Sequence, residues 1–555
     1  MNEIQKVQQA EVIEVEPPVM TITNRLEIIE EGLRKSYLAR LYEMQIAPTG
    51  ELKPLEEDLI DNIRLYYIDE MVYKKGEPVT DKFTTVFNTI ATYNASIFVV
   101  LDSDGKKTDF YLGVRNNETN DALKRSTVTL GDTLKNTLIG HFPGAKIHNK
   151  DRRAIASLCD KILRQQNAAS VSIVGSSKSD KEQTNEQFVQ GIEKLALAMQ
   201  GRQYIGIIIA ENQSPQSMQV LRSKYEDLYT KLSPYQKVQF TEGESTSTSS
   251  SKSFSELSGK QKAAMIGSAS VSLVGVIGGA VFAASKIKGG SAATGAMLGG
   301  QIAGQMSGFI NSLAPTEQTT NGKNTSTSTT TENKKITDML KLLDEAIRRI
   351  DDFDSYGMWN VAGYFVSDDM SASEIAASNY RSLMSGENSG REVSAINSWR
   401  SNNPDIQGDF RDLMLYLSRF KHPKFCYGDN DIVLTDATTA VSGKELGLHL
   451  GLPRATVPGL PVLEHAEFGK EVTSYQLFRK RVSKRPEDRI TIGRIFDLGQ
   501  ITNKIVELDN KSLNMHTFIT GSTGSGKSNT VYQMLTELHQ DGIPFLVVEP
   551  AKGEY

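Results

Sequence analysis

Cysteine is nearly absent: Cys159 and Cys426 are the only two in 555 residues, far apart and in no metal-ligand spacing. That excludes a disulfide-stapled scaffold and a cysteine metal cluster, and it fits reduced thiols in a cytosolic protein. Tryptophan is equally scarce, with Trp359 and Trp399 alone, both most simply core residues. Charge of one sign is lacking too. The 62 Lys and Arg against 67 Asp and Glu leave a net charge of -5, so no global field draws the chain to nucleic acid. Contact of that kind must come from local patches. Residues 1–20 have no apolar core and carry Glu3, Glu11, Glu14 and Glu16, which excludes a secretory signal there. The cellular address these absences imply is the cytoplasm.

What is present is a long chain of ordinary globular composition, 39% hydrophobic and 23% charged, which at this length predicts three or more structural units. Residues 1–80 read as a polar start and helical lead-in. Residues 81–410 read as an α/β amino-terminal domain, because strand-like and helix-like runs alternate. From Ser96, two β-branched and aromatic runs flank Asp-Ser-Asp-Gly and predict a hairpin. Val171–Val174, Tyr204–Ala210 and Met358–Val366 read as strands, Glu186–Met199 and Ser371–Met384 as helices, with Ser371 and Glu374 in capping spacing. Residues 411–511 read as a β-rich connecting segment.

A foreign composition interrupts the α/β domain at 241–333. Its flanks are Ser/Thr-rich, a composition that buries too little apolar surface to offset chain entropy. Between them lies a Gly/Ala-rich apolar block, Ala263–Leu313. Helix-like stretches, roughly Gln216–Leu232 and Lys335–Ile350, bracket the insertion; paired antiparallel, they would put the block at the tip of a helical hairpin. Ala263–Ser285 holds 23 residues without a charge, long enough to span a membrane on length alone. Gly275 and Gly279, then Gly300, Gly304 and Gly308, recur at the spacing that lets helices approach closely in membranes. Against this, Gly, Ala and Ser contribute little transfer energy, and a hairpin would carry Lys286 and Lys288 across the bilayer. A soluble or self-associating insert is the expectation, with membrane contact through 263–313 as the alternative.

The sharpest chemical signal lies near the end. Gly521-Ser522-Thr523-Gly524-Ser525-Gly526-Lys527-Ser528 fits G-x-x-x-x-G-K-[ST]. His516–Thr520 before it reads as a strand, Asn529–His539 after it as a helix, and Pro544–Val548 beyond Gly542 as a second buried strand. A loop between a strand and a helix N-terminus presents free N–H groups and the positive end of the helix dipole to an anion. The glycines permit the backbone turns that aim those groups inward. Lys527 is the expected partner of the β- and γ-phosphates and Ser528 the expected Mg²⁺ ligand, with Gly521 to Ser528 and Asn529 as the cradle. Val174-Gly175-Ser176-Ser177-Lys178 also follows a strand, but lacks the second glycine and the Gly-Lys-Ser ending. It reads as a polar loop.

Over about 65 residues, His516-Thr-Phe-Ile-Thr-Gly-Ser-Thr-Gly-Ser-Gly-Lys-Ser-Asn-Thr and Phe545-Leu-Val-Val-Glu-Pro-Ala-Lys-Gly-Glu-Tyr resemble the HerA/FtsK superfamily of hexameric pumping ATPases, especially its HerA-like branch. Ile492-Gly493-Arg494-Ile495 and Val506–Leu508 are similar to the β-rich lead-in of that branch. Gly357-Met-Trp-Asn, Tyr364-Phe-Val-Ser-Asp-Asp and Ser385-Gly-Glu-Asn-Ser-Gly are similar to the amino-terminal domain of such ATPases and of conjugative secretion ATPases. The resemblance implies that 512–555 begins a RecA-like P-loop domain, opening with its first strand–loop–helix–strand unit. ATP and Mg²⁺ are then the cofactors. A homohexamer moving or unwinding double-stranded DNA, in company with a nuclease or other effector, is the implied assembly. A membrane- or envelope-associated secretion ATPase is the alternative. The acidic strand and the neighbour's arginine that complete such sites are expected beyond Tyr555, so hydrolysis by residues 1–555 alone is not expected. Glu549 and Glu554 end the second strand near the expected phosphate site; either is a candidate for water positioning, Glu554 first, with a structural role as the equal alternative.

Arg479, Lys480, Arg481, Lys484, Arg485 and Arg489 put six cations within eleven residues. A solvated linker is the plain interpretation, phosphate-backbone contact the functional one. Glu464-His465-Ala466-Glu467 lacks H-E-x-x-H spacing, so no metal site is assigned to it.

Overall fold

The computed structural model describes residues 30, 32–49, 58, 61–74, 76–118, 124–178, 190–233, 236–242, 327–332, 334–404, 406, 409–427, 433–465, 489–497, 500–509, 513, 516–522 and 524–548. Their centre is a ten-stranded sheet. In chain order its strands are Ile63–Lys74 (β1), Ala95–Asp104 (β2), Thr108–Asn116 (β3), Lys146–Asn149 (β4), Asn167–Ser172 (β5), Gln203–Gln213 (β6), Met358–Ser367 (β7), Ala395–Arg400 (β8), Thr439–Ser442 (β9) and Val462–His465 (β10). They lie in the order β8–β5–β7–β6–β2–β3–β1–β10, with β9 also beside β7 and β4 also beside β1. Every ladder is antiparallel except that of β10 on β1.

The central strands are apolar without interruption because both of their faces are covered. On β6, Tyr204, Ile208 and Ala210 face one core, and Ile205, Ile207 and Ile209 face the other. The first core is closed by helices Val79–Asn88 (α1), Thr127–His141 (α2), Ile192–Ala198 (α4), Met370–Met384 (α7) and Gly443–Leu450 (α9), through Phe83, Leu134, Leu195, Tyr380 and Leu446 among others. The second is closed by Arg152–Leu163 (α3), Phe410–Ser418 (α8) and the 3₁₀ segment Ser36–Glu43, through Cys159, Leu417 and Tyr37. Each fully buried Leu, Ile or Phe contributes about 1.5–3 kcal/mol, so a two-sided strand favours an unbroken apolar run over alternation. The chain is mixed α/β, as the alternation of strands and helices implied.

The hairpin expected from Ser96 is β2–β3. The Asp104 carboxylate closes its turn, accepting from the N–H groups of Lys106 and Lys107 at 2.8 Å each, while Gly105 takes φ 88°. Other expectations shift. Ile63–Lys74, inside the expected helical lead-in, is the longest strand of the sheet, with Ile63, Leu65 and Ile68 buried. Residues 411–511 contain helix α9 and most of α8 as well as strands. The helix expected over Glu186–Met199 is described only from Ile192 to Ala198. Helix α7 is capped by Asp369, not Ser371: the Asp369 side chain accepts from the Ser371 N–H at 3.0 Å, one residue before the helix starts. A capping box forms instead at α9, between Ser442 and Glu445.

Pro215–Leu232 (α5) and Lys334–Tyr356 (α6) pair antiparallel, as the stretches bracketing the insertion implied. Arg222 meets Asp351 at 2.8 Å near one end, and Gln236 meets Thr337 at 3.5 Å near the other. Their shared core includes Leu221, Tyr225, Leu228, Met339, Leu343 and Phe353. Beyond it, Lys237–Glu242 and Thr327–Glu332 form an antiparallel ladder that sets Glu242 opposite Thr327. The insertion therefore leaves and rejoins the arm at neighbouring positions. The block 263–313 lies outside the described residues, among which no helix is long and apolar enough to cross a membrane.

Candidate nucleotide site

The phosphate loop leads directly into helix Lys527–Gln540 (α10). Gly524 and Gly526 take φ 80° and 87°, a left-handed backbone that side chains with a Cβ resist. Gly521 faces the Ser525 side chain so closely that a Cβ there would collide with the Ser525 hydroxyl. The Ser525 N–H donates to the Ser522 carbonyl at 3.2 Å, and the helix ladder begins with Thr530 N–H on the Gly526 carbonyl at 3.0 Å. Gly526, the N-cap residue, has no side chain to cap the helix. Among the described residues, no side chain caps the first-turn N–H groups. The Lys527 ammonium folds back over the loop, donating to the carbonyls of Gly521 at 2.8 Å and Ser522 at 2.6 Å. Cation and uncapped amides converge on one small, solvent-facing loop, and that donor set fits a polyphosphate.

Gly521, Ser522, Gly524, Ser525, Gly526, Lys527 and Ser528 are brought together here, and Asn529 follows on the exposed side of the first turn. Thr523, Glu549 and Glu554 lie outside the described residues. The expected strands on either side, His516–Thr520 and Pro544–Val548, carry no ladder. Their composition suits strands, but a strand exists only through a neighbour's hydrogen bonds, and no described strand runs beside them. Their apolar side chains stay in water: Phe518 is 87% exposed, Leu546 88% and Val548 80%. The helix ends at Gly542, which takes φ 70°, with the Ile543 N–H returning to the Leu538 carbonyl at 2.9 Å.

Beside α10 stands a two-stranded hairpin, Arg489–Asp497 (β11) with Gln500–Asp509 (β12). Residues 490–555, which join this hairpin to the loop, match the family model described as "Helicase HerA, central domain". The likeness supports a P-loop ATPase of the HerA/FtsK type, a class that uses ATP and Mg²⁺. No curated protein matches the chain.

The second glycine-led loop has other work. The Gly175 N–H donates to His449 Nε2 at 3.0 Å, and the Ser176 N–H to the Met384 carbonyl at 3.0 Å. The Ser385-Gly-Glu-Asn-Ser-Gly segment closes on it, with the Asn388 N–H on Ser176 Oγ at 3.1 Å and the Glu387 N–H on the Ser177 carbonyl at 3.3 Å. Burial pushes the His449 pKa down to about 3, so its ring is neutral and Nε2 is a permanent acceptor. With these amides bound inside the protein, the loop is unsuited to a phosphate. Of the basic run, Arg489 is described, and it pairs with Glu507 at 3.0 Å; residues 479–485 lie outside the described residues.

Proposed function

We propose that the chain carries the nucleotide-binding part of an ATP-driven translocase that acts as a hexamer on double-stranded DNA. The observation that carries this is the G-x-x-x-x-G-K-S loop at an uncapped helix N-terminus, inside the segment similar to the HerA central domain. In this proposal Lys527 releases the loop carbonyls and reaches the β- and γ-phosphates, the amides of Gly521 to Ser528 and Asn529 surround them, and Ser528 holds Mg²⁺. Glu554 is assigned to water positioning. Calorimetry with Mg·ATP on wild type and Lys527→Ala tests the binding. Equal affinity of the two would remove the site, and salt-independent DNA affinity would remove the DNA assignment.

The arm favours a second reading. It holds the two ends of the insertion side by side, and the sequence between them includes the charge-free stretch Ala263–Ser285. In that reading the ATPase is anchored at a membrane and handles a secreted or assembled cargo. Carbonate-resistant pelleting with vesicles that depends on residues 263–313 would support it and displace the DNA assignment.

A further inference from the structure

Thr491, on β11, is gripped by the phosphate-loop helix as though the helix were a third strand. Both backbone groups of a strand residue point to the same side, and in a two-stranded hairpin every second residue aims them away from the partner. Thr491 pairs with Glu507, and the register shifts immediately after it, between Thr491 and Gly493. Helix α10 supplies the missing partners from two side chains one turn apart. Gln533 Nε2 donates to the Thr491 carbonyl at 3.1 Å, and the Thr491 N–H donates to Glu537 Oε2 at 3.0 Å. Gln533 Nε2 also donates to Glu537 Oε1 at 3.0 Å, which closes the ring. Residues four apart share one helix face, so this geometry needs the helix to be formed and in register with the hairpin.

Each body depends on the other. None of the described residues of α10 is buried, and Ile490, next to Thr491, is fully buried. A hairpin of two strands and a helix of this length are each marginal alone. The ring of three hydrogen bonds fixes both the distance and the tilt between them. Lys527 opens the same helix, so Gln533 and Glu537 lie about 9 and 15 Å along the axis from it, at about 1.5 Å per residue.

We propose that Gln533 and Glu537 are a clip through which nucleotide binding at Lys527 is felt by the β11–β12 hairpin. The proposal rests on the nucleotide-binding assignment above. Phosphate must draw the Lys527 ammonium off the Gly521 and Ser522 carbonyls and recruit the uncapped first-turn amides. Either event reorients the N-terminus of a rigid helix, and the clip imposes that motion on Thr491. The hairpin in turn moves Phe496 and Ile501, an opposed pair 61% and 70% exposed near its turn. Gln533 and Glu537 are positioning residues, with no contact to nucleotide.

The test is hydrogen exchange of the full chain with and without Mg·ADP, beside calorimetry on the same samples. In wild type, nucleotide should slow exchange of the hairpin amides by at least about fivefold, the lower end of typical coupling between two sites. Gln533→Glu keeps the size but loses the donor. It should bind Mg·ADP as wild type does, yet leave hairpin exchange indifferent to nucleotide. Gln533→Met, a good helix former without polar atoms, repeats the test if the added charge unfolds the helix. Wild type that binds nucleotide without a hairpin response, or a Gln533→Glu variant that retains one, overturns the clip. Failure of wild type to bind Mg·ADP overturns the nucleotide site itself, and calorimetry separates the two results.

Discussion

Asp436 offers a quantitative test of the α/β body. It is 1% exposed, and Lys424 Nζ donates to Oδ2 at 2.7 Å while the Thr438 N–H and Oγ donate to Oδ1 at 3.0 and 2.5 Å. Burial is the largest single influence and would raise its pKa, but Lys424, His422 and the hydrogen bonds outweigh it and bring the carboxyl from 3.8 down to about 2. At about 1.36 kcal/mol per tenfold change in proton affinity, this contributes on the order of 2 kcal/mol at neutral pH. A lowered folded-state pKa stabilises fully above the unfolded value and is lost as pH falls through the folded one. Roughly half of that contribution should therefore remain at pH 3 and little of it at pH 2. Asp436→Asn removes that contribution and leaves Lys424 without its counter-charge. Breaking a buried pair costs about 3–5 kcal/mol, and the lower end applies because Lys424 keeps 21% of its side-chain surface in water. The chain's two tryptophans, Trp359 and Trp399, are both buried in this body, so fluorescence in urea reports its unfolding. The expected loss is about 3 kcal/mol at pH 7, narrowing by about 1 kcal/mol at pH 3. A difference that stays constant between the two pH values, or one below about 1 kcal/mol at pH 7, would refute this account of the pair.

Lys527→Ala should abolish detectable Mg·ATP binding in calorimetry while leaving the tryptophan-reported midpoint unchanged, because the loop lies far in sequence from that core and packs in neither of its clusters. Gly386→Ala should weaken the body by about 1–3 kcal/mol, since a Cβ there would strike the Ser176 and Ser177 carbonyls; an unchanged urea midpoint would contradict that contact. Leu343→Ala, fully buried between the arm helices, should cost about 2–5 kcal/mol, read as faster hydrogen exchange confined to α5 and α6. Deleting 263–313 and joining its flanks should leave the melting temperature of the body in place, and a large fall would put that block in a core.

The phosphate loop was legible in the sequence because its chemistry is local. A backbone cradle needs glycines at fixed spacing, one lysine and one hydroxyl, and these occupy eight consecutive residues, Gly521 to Ser528. The β2–β3 hairpin and the paired arm helices were legible for the same reason: a turn and a helical stripe are properties of neighbouring residues. Tertiary structure decided what depends on distant partners. Ile63–Lys74 became a strand because β3, β4 and β10 flank it, and its own pattern did not announce them. Asp369 took the cap of α7 because the chain is still extended there as it leaves β7. The Gly175 loop gave up its amides to His449 and Met384, hundreds of residues away. Gln533, Glu537 and Thr491 are ordinary residues in the sequence. Only the docking of a hairpin on a helix, with one strand residue's two backbone groups aimed outward, makes them a single hydrogen-bonded unit.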